Sequence, residues 1–355
     1  MPILRISAAK LRHNLTYVKT LCQRRGAELM GVVKGCHAHP GICRIFAEAG
    51  VLNLGAARVR HAAPIAAAGG SPWMVALPPL HRAGDVVRGF PVSFNSEIAV
   101  LDALSRAAAE AGIRHEAMLM VEVGDLREGV MPGQVVDVAR RCLELEHEFF
   151  AFHGLAAHFG CMSGLIPTPE SVDRLIRAGG AVQAALGRRP AVLSVGGSDF
   201  LRLLEAGPLH PGITQVRMGY AMLLGKHPDS LDGHPHLARD AVLFEAEVLE
   251  VCRLRLCDGE PVMLEYNRFP GTFTFLETEP LTGSLYEVLR AHGYIPSRAT
   301  HDIALGHATP AMSRHLGTAA GEALMLLDEM VFDQQDRPLH TSRQWIRGDR
   351  YIFRI

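Results

Sequence analysis

Across its 355 residues the chain has almost no excess charge: 36 Lys and Arg stand against 37 Asp and Glu, a formal net charge of −1. Such a balance provides no broad positive field to attract phosphate, which argues against a protein built to bind nucleic acid or an anionic membrane. No apolar run reaches the roughly 18–20 residues of a spanning helix before Gly, Pro, His or a charge breaks it. The opening Met1-Pro2-Ile3-Leu4-Arg5-Ile6 is too short and too soon charged to read as a signal peptide. No Cys-x-x-Cys pair occurs among seven scattered cysteines, so a reduced, cytoplasmic protein is expected. Repeats, low-complexity tracts and long charge runs are absent as well. What is present, 48% hydrophobic and 21% charged residues, is the composition of an ordinary globular core.

The first two thirds of the sequence repeat one rhythm, a short apolar run followed by an amphipathic stretch. Leu29 to Lys34 reads as a strand and His39 to Ala49 as its helix; Val51 to Gly55, Trp73 to Leu77, Val92 to Phe94, Ala117 to Val123, Phe150 to Ala156, Ala191 to Val195 and Thr214 to Met218 continue the strands. Helical patterns such as Glu97 to Ala111 and Pro169 to Leu186 lie between them. About eight such units predict a closed (β/α)8 barrel. The alternative, an open doubly wound sheet, is weakened because no G-x-G-x-x-G follows the first strand. Near residue 227 the rhythm stops. Lys226 to His236 is rich in Pro, Gly and His and reads as a linker, and alternating runs such as Ala241 to Arg255, Val262 to Tyr266, Glu322 to Phe332 and Arg350 to Ile355 follow. The expected division is therefore a barrel over residues 1–232 and a mostly β domain over 233–355, with Ile3 to Ile6 as a strand that could pair with the second domain.

A barrel places its chemistry at the C-terminal ends of its strands. Lys34 ends the first, and a lysine there is expensive to desolvate unless it has a partner or a covalent use. His158 closes the sixth unit, Ser194-Val-Gly-Gly-Ser198 the seventh and Arg217-Met-Gly219 the eighth. Gly-rich turns running into helices after the last two strands make a phosphate cradle.

At these positions the chain resembles the alanine racemase family in its broad sense, pyridoxal-phosphate (PLP) enzymes of fold type III, and within it the ornithine-racemase-like branch. The resemblance rests on Gly31-Val-Val-Lys34, Val121-Glu-Val-Gly-Asp-Leu-Arg-Glu-Gly-Val130, Gly154-Leu-Ala-Ala-His158, Ile166-Pro-Thr-Pro-Glu170, Ser194-Val-Gly-Gly-Ser198 and Gln215-Val-Arg-Met-Gly-Tyr-Ala-Met-Leu-Leu-Gly225, all in the family's order, and covers roughly residues 1–226. It implies a PLP-dependent amino-acid racemase, an isomerase working by α-proton abstraction and reprotonation, on a basic amino acid such as ornithine or lysine. It also implies a homodimer that shares its sites. Lys34 would hold PLP covalently and, once freed, serve as base on one face of Cα. Arg217 would face the pyridine nitrogen, and Ser198, Gly219 and Tyr220 the phosphate. His158 would lie against the ring, and Arg127 near the phenolic oxygen or the substrate carboxylate. Asp125 and Glu128 would fix that arginine, meet a basic side chain, or belong to a solvated loop. Gly197 stands where many relatives have Asn.

Racemisation needs an acid–base group on the opposite face. Gly259-Glu-Pro-Val-Met-Leu-Glu-Tyr266 resembles the stretch that carries the family's tyrosine, making Tyr266 the candidate, with Cys161 and His301 as alternatives. His37, His39, Cys257 and the His234/His236 pair offer no ligand spacing for a metal, so none is expected. A lyase or decarboxylase of the same fold, and a non-catalytic PLP-binding or partner-binding protein, remain the alternatives to a racemase.

Overall fold

The computed structural model describes residues 3–160, 165–227 and 233–350. Strands β2 (Glu28–Val32), β3 (Asn53–Ala56), β4 (Ser71–Met74), β5 (Val92–Asn95), β6 (His115–Met120), β7 (Phe150–His158), β8 (Val192–Gly196) and β9 (Gln215–Met218) close into a parallel barrel. The preceding β1 (Ile3–Ile6) pairs with β10 (Val242–Glu245). Side-chain alternation sorts the barrel strands into two layers. Met30, Phe94, Met118, Met120 and Ala156 form one apolar cluster, while Ala117, Leu119, Leu155 and Ala157 belong to the larger core that includes the helices. Local chemistry sets the helix ends. The helix Pro169–Leu186 begins on a Thr168–Ser171 capping box with Pro at its first position, and ends on Gly187 in the left-handed conformation.

The C-terminal residues form a five-stranded antiparallel sheet, β11 (Val248–Cys257), β12 (Glu260–Pro270), β13 (Pro296–His307), β14 (Ala323–Asp333) and β15 (Pro338–Ile346), in the order β11-β12-β15-β14-β13. The chain is thus a (β/α)8 barrel followed by a mostly β domain. Two compact units divide it, Ile6–Leu243 and Phe244–Ile355 with Met1–Arg5. The residues just beyond the linker are bonded to the first helix of the barrel unit. Asn14 donates to the carbonyls of Met222 and Ala238 at 3.0 and 2.9 Å and accepts the Ala238 N–H at 2.7 Å.

Each unit buries a histidine held neutral. In the barrel, His115 is fully buried, with Nδ1 2.8 Å from the Phe90 carbonyl and Nε2 2.8 Å from the Ser93 hydroxyl, and burial lowers its pKa to about 4. In the C-terminal unit His340 stacks on Phe269 at 4.7 Å, and burial again lowers its pKa to about 4. Unfolding releases both rings to titrate near 6.5. Between pH 6.5 and 4 the unfolded chain therefore binds protons that the folded chain refuses. Stability is complete above pH 6.5 and falls as pH drops, by roughly 3 kcal/mol per histidine at the plateau. Thermal melts from pH 7 to 4 are expected to show this decline, and His340→Phe to flatten it for the C-terminal transition alone.

Candidate active site at the strand ends of the barrel

Lys34 follows β2 and opens a short 3-10 turn, Lys34–Cys36. The chain then passes through two consecutive non-glycine residues in the left-handed region, His37 (φ 52°) and Ala38 (φ 50°), before the helix at Pro40. That strained turn is tied down by the N–H groups of His37, Ala38 and His39 bonding to the carbonyls of Lys34, Val33 and Cys36. His39 caps the helix, its Nδ1 accepting the Gly41 N–H at 3.2 Å, and His37 lies edge-on to His61.

Arg217 on β9 is 4% exposed. Its register neighbours are Met30 of β2 and Gly196 of β8, so it stands between the strands that carry Lys34 and the Ser194–Ser198 turn. The guanidinium donates to the Ser194 hydroxyl and the Ala157 carbonyl, both at 2.8 Å, and lies 4.8 Å above the Phe94 ring. Ser194 in turn donates to Gln215 at 2.7 Å. Among the described residues a hydroxyl, a carbonyl and a ring face hold this cation, and no carboxylate is bonded to it. Burial pulls its pKa down to about 9, which leaves it charged at neutral pH.

His158, at the end of β7, pairs in register with Gly196. Burial first, then the nearby cations Arg217, Arg127 and Lys34, push its pKa down to about 2, so it is neutral at any working pH. Arg127 and Lys34 therefore lie near His158, at this mouth of the barrel. Arg127 projects from the loop after β6, with Nη2 2.7 Å from Glu128 and Nε 3.6 Å from Asp125. Of the three uses read for these two acids, fixing the arginine is the one the geometry displays.

The turns after β8 and β9 are built for close approach. Gly197 sits at φ 121°, and a Cβ there would lie 2.1 Å from the Phe159 carbonyl oxygen. A Cβ on Gly219 would lie 2.5 Å from the Val32 carbonyl oxygen. An asparagine in place of Gly197 has no room in this turn. Ser198 accepts the Ala221 N–H at 3.0 Å, which ties the two turns together and leaves its own hydroxyl hydrogen to give. Tyr220 begins the short helix Tyr220–Leu224, whose first N–H groups have no partner within the helix.

Sequence reasoning missed Ser194, Gln215 and Phe94, which position Arg217; their signal was the inward alternation on β5, β8 and β9. Tyr266 lies on β12 opposite Cys252, in the C-terminal unit, and lines that unit's own cavity. His301 is ion-paired to Glu329 there, and Cys161 lies outside the described residues. Among the described residues one set of metal-ligand type comes together, Glu205, His227 and His234. The His236 N–H donates to Nδ1 of His234, so Nε2 carries the proton and donates to Glu205 at 2.7 Å. That ring is used at both nitrogens.

A closed eight-stranded barrel with a strand-end lysine, a buried arginine on the neighbouring strand and glycine turns after the last two strands defines a fold-type III barrel. The family description "Alanine racemase, N-terminal domain" matches residues 6–227, and the chain belongs to that family. Residues 238–352, including the stretch around Tyr266, match a different description, the UTRA domain. The chain is 28% identical over 226 residues to an ornithine racemase of Acetoanaerobium sticklandii, covering 63% of this chain and 64% of that one. It is 29% identical over 252 residues to a lysine racemase of Thermotoga maritima, covering 70% of each. It is also 24% identical over 140 residues to the HTH-type transcriptional regulator GgaR of Escherichia coli, covering 37% of this chain and 56% of that one. The chain thus spans about two thirds of the length of the two racemases. Among the described residues no helix is long and apolar enough to cross a membrane.

Proposed function

We propose that this chain is a PLP-dependent amino-acid racemase acting on a basic amino acid such as ornithine or lysine. The observation that carries the reading is the buried Arg217 beside the strand end that bears Lys34, a cation with no carboxylate bonded to it among the described residues. The two racemase relatives supply the substrate class.

The residues present fit PLP. Glycine turns without room for a Cβ, next to the Ser198 hydroxyl and the Tyr220 N–H, suit its phosphate. Arg217 suits the pyridine nitrogen, since a guanidinium donates a hydrogen bond and keeps that nitrogen unprotonated. Neutral His158 suits the ring, and Arg127, held by Glu128, suits a phenolic or carboxylate oxygen. When bound, PLP supplies an electron sink that acidifies the α-proton, a modest one if its nitrogen is neutral. Lys34 moves that proton on one face of Cα. For the opposite face the candidate is Tyr266, whose hydroxyl burial and the neighbouring Cys252 keep protonated. A homodimer in a reducing compartment completes the proposal. Six cysteines among the described residues are free thiols, and the edge strands β11 and β13 expose Leu254, Leu256, Ile303 and Leu305.

The test is α-proton exchange in deuterium oxide with a panel of L-amino acids, followed by NMR and chiral chromatography. Deuterium incorporation together with the D-isomer is expected for ornithine or lysine. If borohydride traps PLP on Lys34 while no amino acid exchanges, the racemase reading falls and a non-catalytic PLP-binding protein takes its place.

A further inference from the structure

Apart from the residues gathered around Lys34, three side chains of metal-ligand type converge within the barrel unit from three separate stretches. Glu205 belongs to the helix Phe200–Ala206, His227 follows the helix Tyr220–Leu224, and His234 comes from the linker. One ligand atom of each lies within 4.8 Å of the other two. The spacing of the linker histidines does not reveal this set, because its carboxylate is supplied by a different helix.

The arrangement is held from several sides. His234 is 6% exposed, although the linker around it is rich in Pro, Gly and His. Its N–H donates to the Gly225 carbonyl at 2.9 Å and its carbonyl accepts the Leu237 N–H at 3.2 Å, so the backbone on both sides of the ring is fixed. The His227 and His234 rings meet edge to face, with centroids 5.2 Å apart. Glu205 uses one oxygen twice. Its Oε1 accepts the Tyr17 hydroxyl at 2.6 Å and stands 2.7 Å from Nε2 of His234, while Oε2 has no hydrogen bond among the described residues.

We propose that Glu205, His227 and His234 form a zinc site. Two imidazoles and a carboxylate are a donor set that zinc takes, and three protein ligands leave the fourth tetrahedral position to water. Ligand atoms around a tetrahedral zinc stand about 3.3 Å apart, a modest closure that the exposed Glu205 can make. The ion takes the place of the proton on Nε2 of His234. The ring stays neutral with its proton on Nδ1, and the bond from the His236 N–H, long at 3.2 Å, is released. Burial and Glu205 raise the pKa of Tyr17, so its phenol stays protonated and keeps the ligating carboxylate oriented. The bound ion fastens the linker to the helix Phe200–Ala206. The site shares no residue with the cluster around Lys34 and does not depend on the racemase reading.

The test is equilibrium dialysis of the chelator-stripped, full-length protein against zinc chloride under reducing conditions, with bound metal counted by mass spectrometry. One zinc per chain is expected, with a Kd below about 1 μM. Glu205→Gln and His227→Gln are each expected to bind at least about 10-fold more weakly. Glu205 is exposed, so its variant folds, and the metal-free melting temperature should stay within about 2 °C of the parent's. Cobalt(II) in place of zinc needs no variant. Nitrogen and oxygen ligands give visible d–d bands alone, whereas coordination by any of the seven cysteines adds a thiolate charge-transfer band. Less than one equivalent of zinc at saturation, undiminished affinity in either variant, or a thiolate band overturns the proposal.

Discussion

Lys34→Ala is expected to lower racemisation by at least about 10³-fold and to abolish borohydride trapping of PLP, with no loss of folding. The side chain is exposed and makes no hydrogen bond or ion pair among the described residues, so its removal should move stability by no more than about 0.5 kcal/mol. The strained His37–Ala38 turn beyond it is held by backbone bonds that the substitution leaves in place. Activity and stability should therefore separate cleanly. Tyr266→Phe completes the comparison. If Tyr266 serves the opposite face, that variant loses inversion while Lys34 still exchanges the α-proton of one enantiomer. If inversion persists unchanged, Tyr266 belongs only to the C-terminal cavity. A Lys34→Ala protein that still racemises would remove Lys34 from the chemistry altogether.

Gly197→Ala is expected to damage both the fold and the cofactor site. At φ 121° an L-residue is strained, and the added Cβ would meet the Phe159 carbonyl oxygen at 2.1 Å, where neither atom belongs to a flexible side-chain tip. The turn can relieve the clash only by moving away from β7. That movement pulls on the Gly197 N–H bond to the Arg217 carbonyl and on the Ser198 bridge to Ala221. A cost of at least about 3 kcal/mol corresponds to a drop of about 6–12 °C in melting temperature for a unit of this size. PLP affinity should fall at least 10-fold in the protein that remains folded. Gly180→Ala, in the interior of the helix Pro169–Leu186 with open space around its Cβ, is the control and should be neutral or slightly stabilising. Unchanged melting and PLP affinity in Gly197→Ala would mean that the turn is not the rigid cradle described.

The barrel was legible because its strands are short apolar runs between amphipathic helices, and both periodicities are local. The same holds for Lys34, His158 and Arg217, since each ends a recognisable strand. The C-terminal sheet was harder. Alternation marked β11, β12 and β14, but β13 (Pro296–His307) and β15 (Pro338–Ile346) went unread, as did the helices Leu285–Ala291 and Pro310–Leu316. Nearly every side chain of β13 is exposed, so no buried face imposes a period of two on its sequence.

By itself, then, the sequence determined the barrel, the order of its strand-end residues and the family to which the chain belongs, because each depends on neighbours within about a dozen positions. Only the tertiary structure decided which side chains meet. It set Ser194 and Phe94 around Arg217, tied Ala238 beyond the linker to Asn14 of the first helix, used His234 as a hydrogen-bonded strut to Glu205, and put Tyr266 in a row with Asp302, Asp328 and Arg343. Those meetings depend on strand register and on contacts between residues tens to hundreds of positions apart, and no local pattern encodes either.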